Sequence, residues 1–262
     1  MRSLHNRCMN TPPKPQADWQ KKPLVRIAYQ GVKRLEAIIG RYSPDGDRPF
    51  FDPDRFAWVT ELENNWSTIR AELEKVLEHQ DRLPNFQDIS RDQITITQDD
   101  AWKTFFLYGF GYRQERNCAR CPATARLVEN VPGMLTAFFS ILAPGKHIPA
   151  HRGPYKGIFR YHLGLIVPQP VERCRLRVGN EYRTWREGGS LVFDDTYEHE
   201  VWNDTDGVRV VLFLDVVRRL PAPVSWLNQL IIAAIRRSSF IQDARRNAER
   251  FDLDQVFADP RR

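Results

Sequence analysis

The stretch AHRGPYKGIFRYHLGL, residues 150–165, followed by SLVFDDTYEHEVW, residues 190–202, decides the fold of this chain. Side chains alternate faces along a strand, so Arg160, His162 and Gly164 share one face while Phe159, Tyr161, Leu163 and Leu165 share the other. One face is polar and the other apolar. In the second stretch His199 and Val201 lie together, with Glu198 and Glu200 turned away toward the outer surface. Between His147 and Arg209 fall four of the six histidines: His147, His151, His162 and His199. Imidazoles clustered among β-rich runs suggest a metal site. A facial iron site of two histidines and one carboxylate needs His-x-Asp/Glu plus a distant His. Here the pattern is His151-x-Gly153, and Asp195, at a turn before His199, is the carboxylate left as a rival third ligand.

Working outward, the same texture covers 135–217. Apolar runs at Leu135–Leu142, Phe159–Val167, Arg173–Val178, Ser190–Phe193, Glu198–Trp202 and Val208–Val217 alternate with turn signals. Strands at that spacing predict a sandwich or barrel rather than alternating βαβ units. In the last run Arg209 shares a face with Val211 and Phe213. If that face is interior, the guanidinium needs an anion, and a small dicarboxylate would supply bidentate hydrogen bonds.

The flanks read as helical. Residues 1–23 are polar and carry Pro12, Pro13, Pro15 and Pro23, the composition of a mobile leader. Leu24–Gly40 is a short basic amphipathic helix, and residues 43–47 form a turn. Phe56, Val59, Leu62, Trp66, Ile69, Leu73, Val76 and Leu77 recur at three- and four-residue steps, predicting one long helix over Asp54–His79. The middle, Asp81–Tyr112, is irregular except for a strand at Trp102–Tyr108, and a helix begins at Cys121-Pro122 and runs through Glu129. Arg219–Phe257 returns to helix, apolar first and basic later. The chain divides into a leader (1–23), a helical N-terminal layer (24–134), a β core (135–218) and a C-terminal helical tail (219–262), one principal domain in all.

Composition narrows the function classes. No run approaches a membrane span, and the N-terminus lacks a signal-peptide core, so the default compartment is the cytoplasm. The four cysteines are too few and scattered for a disulfide framework, and Cys118-x-x-Cys121 lacks the second pair of a zinc site. We read them as structural thiols. The net charge of +6 favours acidic partners, but no nucleic-acid module accompanies it, and no nucleic acid is expected. His147 is read as a loop residue, and His5 and His79 as surface.

These residues resemble the aspartyl/asparaginyl β-hydroxylase family of Fe(II)- and 2-oxoglutarate-dependent dioxygenases. The resemblance covers roughly Trp102 to Val217 and is strongest in His151–Pro154, Arg160–Leu165, Glu187–Asp195 and Glu198–Trp202. It implies a mainly β fold with flanking helices, a double-stranded β-helix or cupin-like jelly roll. It implies iron held by His151 and His199 without the usual carboxylate, Gly153 standing where other dioxygenases carry the acid. It further implies 2-oxoglutarate bound by Arg209 and Ser140 at its distal carboxylate, with Arg160 and His162 near its other end and Trp102 as an aromatic wall. With dioxygen, such a site hydroxylates an unactivated carbon and releases succinate.

The resemblance favours the β-carbon of an aspartyl or asparaginyl residue, in a peptide or carrier-bound amino acid, as substrate. A fatty-acyl chain of lipid A or ornithine-lipid type is the alternative, because such lipid hydroxylases also look similar around Asp52–Glu72 and in the Arg160–Leu165 strand. The basic helix after Trp226 would then rest on an anionic membrane surface. A non-catalytic jelly-roll binding module is the reading from another class, and retention of the pocket residues argues against it.

Overall fold

The computed structural model describes residues 23–251 and residue 257. The expected leader and the histidine at position 5 lie outside these. Strands β1 (Phe50–Phe51), β2 (Trp102–Gly109), β3 (Tyr112–Arg113), β4 (Met134–Leu142), β5 (His147–His151), β6 (Ile158–Ile166), β7 (Cys174–Val178), β8 (Glu181–Thr184), β9 (Ser190–Phe193), β10 (His199–Asn203) and β11 (Arg209–Val217) form two sheets. The larger runs β1-β9-β6-β11-β4-β2-β3 and the smaller β5-β10-β7-β8. All their pairings are antiparallel. From β4 onward the strands alternate between the two sheets, except for the β7–β8 hairpin within the smaller one, which is the double-stranded β-helix. Residues 24–134 are thus more than a helical layer, since β1, β2 and β3 extend the large sheet.

Strand β11 shows how the pleat builds two cores. Its run RVVLFLDVV is rich in β-branched residues and lies between β6 and β4, buried on both faces. Val210, Leu212, Leu214 and Val216 join the core beneath the helices, whereas Val211 and Phe213 face the space between the sheets. The first core is closed by α2 (Ala57–Asn64), α3 (Trp66–Leu77) and α6 (Pro122–Glu129), which contribute Val59, Leu62, Ile69, Leu73, Ala125 and Val128.

Two sequence expectations need correction. The helix over Asp54–His79 is broken: residues Pro53–Arg55 form a 3-10 turn, and Asn65 separates α2 from α3. The Asn65 side chain donates to the Glu61 carbonyl at 2.8 Å, the local competition that makes asparagine a poor helix-interior residue. The apolar stripe continues across the break, so periodicity alone does not reveal it. Strands β5 and β8 were also not expected. β5 carries Pro149 on a sheet edge, where a missing N–H is tolerated, and β8 is almost wholly polar. His147 therefore starts a strand rather than sitting in a loop. It pairs outward with Glu200 at 2.7 Å and stacks on Trp202.

Short helices α4 (Phe86–Ile89) and α5 (Glu115–Arg120) flank β2, while α1 (Pro23–Tyr42), α7 (Val224–Arg237) and α8 (Ser239–Arg250) complete the structure. α1 packs on α7 through a third core containing Ile39, Tyr155, Ile158 and Ile232. α8 lies against α4 and β2.

Candidate active site

His151 and His199 are direct register partners on β5 and β10, and their ring centroids are 4.1 Å apart. Each imidazole is oriented by its own backbone: His151 Nδ1 lies 2.8 Å from the Pro149 carbonyl, and His199 Nδ1 lies 3.1 Å from the Tyr197 carbonyl. A carbonyl can only accept, so each Nδ1 carries the proton and each Nε2 keeps its lone pair. Burial pulls the pKa of both below the ordinary histidine value, far below for His199, with the Arg160 charge acting in the same direction. Neutral imidazoles fixed through one nitrogen are what a metal ion requires.

Among the described residues no third His, Cys, Asp or Glu completes a metal-holding group with them. Asp195 comes near in another way. The Gly153 N–H donates to the Asp195 carbonyl at 2.7 Å, and a Cβ built on Gly153 would fall inside the Asp195 carboxylate. The acid absent from position 153 is replaced in space by one from the opposite strand connection. That carboxylate is fully buried, and burial raises its pKa to about 6 against the pull of Arg160. Arg160 Nη2 is 2.9 Å from Asp195 Oδ2, but off the hydrogen-bonding line, so neither oxygen accepts a hydrogen bond. Arg160 instead donates to Asp215 Oδ1 from Nε and Nη2 at 3.3 and 3.2 Å, over the Phe213 ring. Asp215 was missed, though strand parity from Arg209 through Phe213 places it on the same face.

The other end of the space between the sheets is a cationic pocket. The Arg209 side chain is buried, its Nε and Nη1 have no hydrogen-bond partner, and the guanidinium sits 4.7 Å over the Trp185 ring. Burial lowers its pKa to about 10, the cost of an uncompensated charge. Beside it, His162 has both ring nitrogens unpaired and stacks toward Trp185, while Trp185 Nε1 is also unpaired. Burial first, and then the Arg209 charge, push the His162 pKa well below its usual value. On the adjoining strand Ser140 Oγ accepts from Trp102 Nε1 at 3.0 Å, leaving the Ser140 proton free to be donated. Several buried donors converging without an acceptor describe a site for a small anion. Trp185 lies just beyond β8, where no periodicity marks it.

A separate buried network fixes the loop that carries Asp195 toward His199. Asp194 accepts from Lys156 Nζ at 2.9 Å, from Arg218 Nη2 at 2.7 Å, and from the Thr196 backbone and hydroxyl. Asp47, from the turn after α1, binds the same Lys156 and Tyr197. The sequence carried no sign of this.

A cavity of about 350 Å³ opens onto His151, Gly153, Asp195 and Arg160. Its other walls are largely aromatic and aliphatic, with Phe86, Ile89, Phe106, Phe110, Phe240 and Ile241 from α4, β2, the β2–β3 turn and α8, interrupted by the polar side chains of Asp92, Gln93, Gln114 and Arg245.

The double-stranded β-helix thus seats a neutral histidine pair beside a buried cationic pocket. The family model for aspartyl/asparaginyl β-hydroxylase matches residues 63–219, and the chain belongs to that family of hydroxylases. It is 48% identical over 229 residues to an ornithine lipid ester-linked acyl 2-hydroxylase of Rhizobium tropici, covering 87% of this chain and 82% of that one. It is 35% identical over 179 residues to the aspartyl/asparaginyl β-hydroxylase of Homo sapiens, covering 64% of this chain but 22% of that protein. It is also 36% identical over 224 residues to human aspartate β-hydroxylase domain-containing protein 2, covering 73% of this chain and 58% of that one. The chain therefore spans a minor part of the first human relative and just over half of the second. No helix among the described residues is long and apolar enough to cross a membrane.

Proposed function

We propose that this chain is an Fe(II)- and 2-oxoglutarate-dependent hydroxylase of a membrane lipid, acting on the carbon next to the carbonyl of an ester-linked acyl chain. The observation that carries the choice of substrate is the apolar cavity that ends at His151. An acyl chain fills such walls by the hydrophobic effect, at about 0.8 kcal/mol per buried methylene. A peptide backbone would find fewer partners along the apolar part of these walls. The bacterial relative is named for an ornithine lipid, and that name supports the reading.

His151 and His199 would hold the iron, since their Nδ1–H groups are locked on the Pro149 and Tyr197 carbonyls and leave each Nε2 lone pair available. Arg209, with Ser140 and Trp185, takes the distal carboxylate of 2-oxoglutarate, and His162 faces the same pocket. Iron with 2-oxoglutarate supplies, when bound, the oxidising power to place one atom of dioxygen in a C–H bond. Trp102, Phe138 and Phe213 add further aromatic surface to the cavity. Asp195 and Arg160 set the charge beside the two histidines. The cytoplasm is the compartment in this reading. Cys118, Cys121 and Cys174 are unpaired thiols, as a reducing environment keeps them.

The test is incubation of the purified protein with Fe(II), 2-oxoglutarate and ornithine lipid, followed by mass spectrometry. The expected product carries one added oxygen on the ester-linked chain, with succinate formed in equal amount. Hydroxylation of an aspartyl or asparaginyl peptide with the lipid untouched would restore the peptide reading. Absence of succinate with every substrate would favour a binding module.

A further inference from the structure

Helix α7 is apolar on two sides. Asn228 and Ile232 are buried against α1 and the β core, yet Trp226, Leu227 and Leu230 on the opposite side are 65%, 45% and 68% exposed. One turn of helix separates Trp226 from Leu230, so they form a continuous ridge. A helix that is apolar all round belongs in a core or against lipid, and the outer half of α7 has no core. Beside it α1 exposes Ile38 and Tyr42 at 42% and 50%. The exposed charges on these two helices are of one sign. α7 contains no acidic residue and ends in exposed Arg236 and Arg237, and α1 adds exposed Arg34 and Arg41. The single carboxylate on these two helices, Glu36, is buried and paired with Lys33.

We infer that the outer faces of α7 and α1 form a membrane-docking surface, with Trp226, Leu227 and Leu230 entering the headgroup layer of an anionic bilayer and the flanking arginines binding its phosphates. Charge complementarity selects this occupant. The exposed charges on α7 and α1 are all basic, and an apolar ridge with basic flanks matches acyl chains bordered by anionic headgroups; the exposed carboxylates of Asp47 and Asp243 lie off these two helices, after α1 and on α8. Tryptophan at the boundary fits the same interface. The surface is also continuous with the cavity. Only Ser238 separates α7 from α8, and α8 places Phe240, itself 36% exposed, in the cavity wall. Arg236 of α7 and Arg245 of α8 both lie over the Tyr112 ring, at 4.6 and 4.5 Å, next to the Phe110 turn that lines the same cavity. A lipid could thus pass from the bilayer to the cavity beside the helices that hold the protein there. The choice of partner rests on the acyl-lipid reading, but the surface itself does not.

The experiment is co-sedimentation of the full chain with vesicles of phosphatidylcholine alone or mixed with phosphatidylglycerol, at low and high salt. The intact protein should sediment with the anionic vesicles, more weakly at high salt and with neutral ones. The doubly substituted variant Trp226→Ser, Leu230→Glu should lose binding by about tenfold or more, since it removes the inserted ridge and adds a repelled charge. Both positions are exposed, so its melting temperature and its turnover of a short-chain, water-soluble ester should be unchanged. No vesicle binding by the intact protein, or undiminished binding by the variant, overturns the inference. So does a dimer in light scattering that the variant dissolves, which would mean that a second copy covers the ridge. Vesicle binding without lipid hydroxylation would leave the docking surface standing and refute the substrate. Hydroxylation in detergent without vesicle binding would do the reverse.

Discussion

Replacing Arg209 by methionine tests the cationic pocket most directly, because the structure predicts opposite effects on stability and on binding. The guanidinium is buried, with Nε and Nη1 unpaired, and burial lowers its pKa to about 10. At about 1.4 kcal/mol per unit, that depression corresponds to roughly 3 kcal/mol spent on holding the charge in the fold at neutral pH. The sign follows from linkage: a base whose folded pKa is depressed destabilises the fold wherever it is protonated, and relieves it only as pH rises past the folded value. Methionine fills similar volume without charge, so the protein without co-substrate should melt at the same temperature or higher. Binding should move the other way. Loss of a desolvated charge-assisted contact costs about 2–5 kcal/mol, which weakens 2-oxoglutarate by about 30-fold to about 4,000-fold. Thermal melting with Mn(II) as a redox-inert metal, titrated with 2-oxoglutarate, reads both quantities. A variant that melts several degrees lower without ligand, yet keeps the full ligand-induced rise, would show that Arg209 is a structural cation and no part of the co-substrate pocket.

Gly153→Asp should destabilise the fold by about 1–3 kcal/mol, because the new side chain competes for the space of the Asp195 carboxylate. Adding Asp195→Ala should recover much of that loss in urea unfolding, a coupling that independent sites would not show. His199→Ala should abolish metal-dependent succinate formation with its far-ultraviolet circular dichroism unchanged, and near-normal succinate would remove it from the metal site. Asp194→Ala should cost about 3–5 kcal/mol, since it leaves Lys156 and Arg218 buried without their shared partner. Denaturant unfolding checks it, and a loss under 1 kcal/mol would show that the network is not stabilising on the scale of a buried ion pair. Ala244→Phe, in the α8 wall of the cavity, should shift acceptance toward shorter acyl chains, measured by competition between lipids of different chain length. An unchanged preference would place the acyl chain elsewhere.

The β core was legible in the sequence because strand alternation is a local property. Each of Arg160, His162 and Arg209 could be assigned a face from its immediate neighbours, and the structure puts all three in the space between the sheets. The helical flanks were legible from three- and four-residue spacing, except at Asn65, where a side chain takes a backbone carbonyl without disturbing the apolar stripe, and at Ser238, which divides the C-terminal run into α7 and α8. What the sequence could not contain were relations between residues far apart along the chain. The Asp195 carboxylate fills the place of an acid at Gly153, across 42 residues, because two strand connections meet there. Trp185 reaches Arg209 from a polar segment with no period, and Asp194 gathers Lys156 and Arg218 from separate elements. The cavity is likewise a product of assembly: its walls come from α4, β2, the β2–β3 turn and α8, none of which marks a binding site alone. Periodicity fixes which way a side chain faces, whereas what it meets depends on how the sheets and helices close over it. The two histidines could therefore be singled out in the sequence, but their shared register and the apolar space in front of them were decided only by tertiary packing.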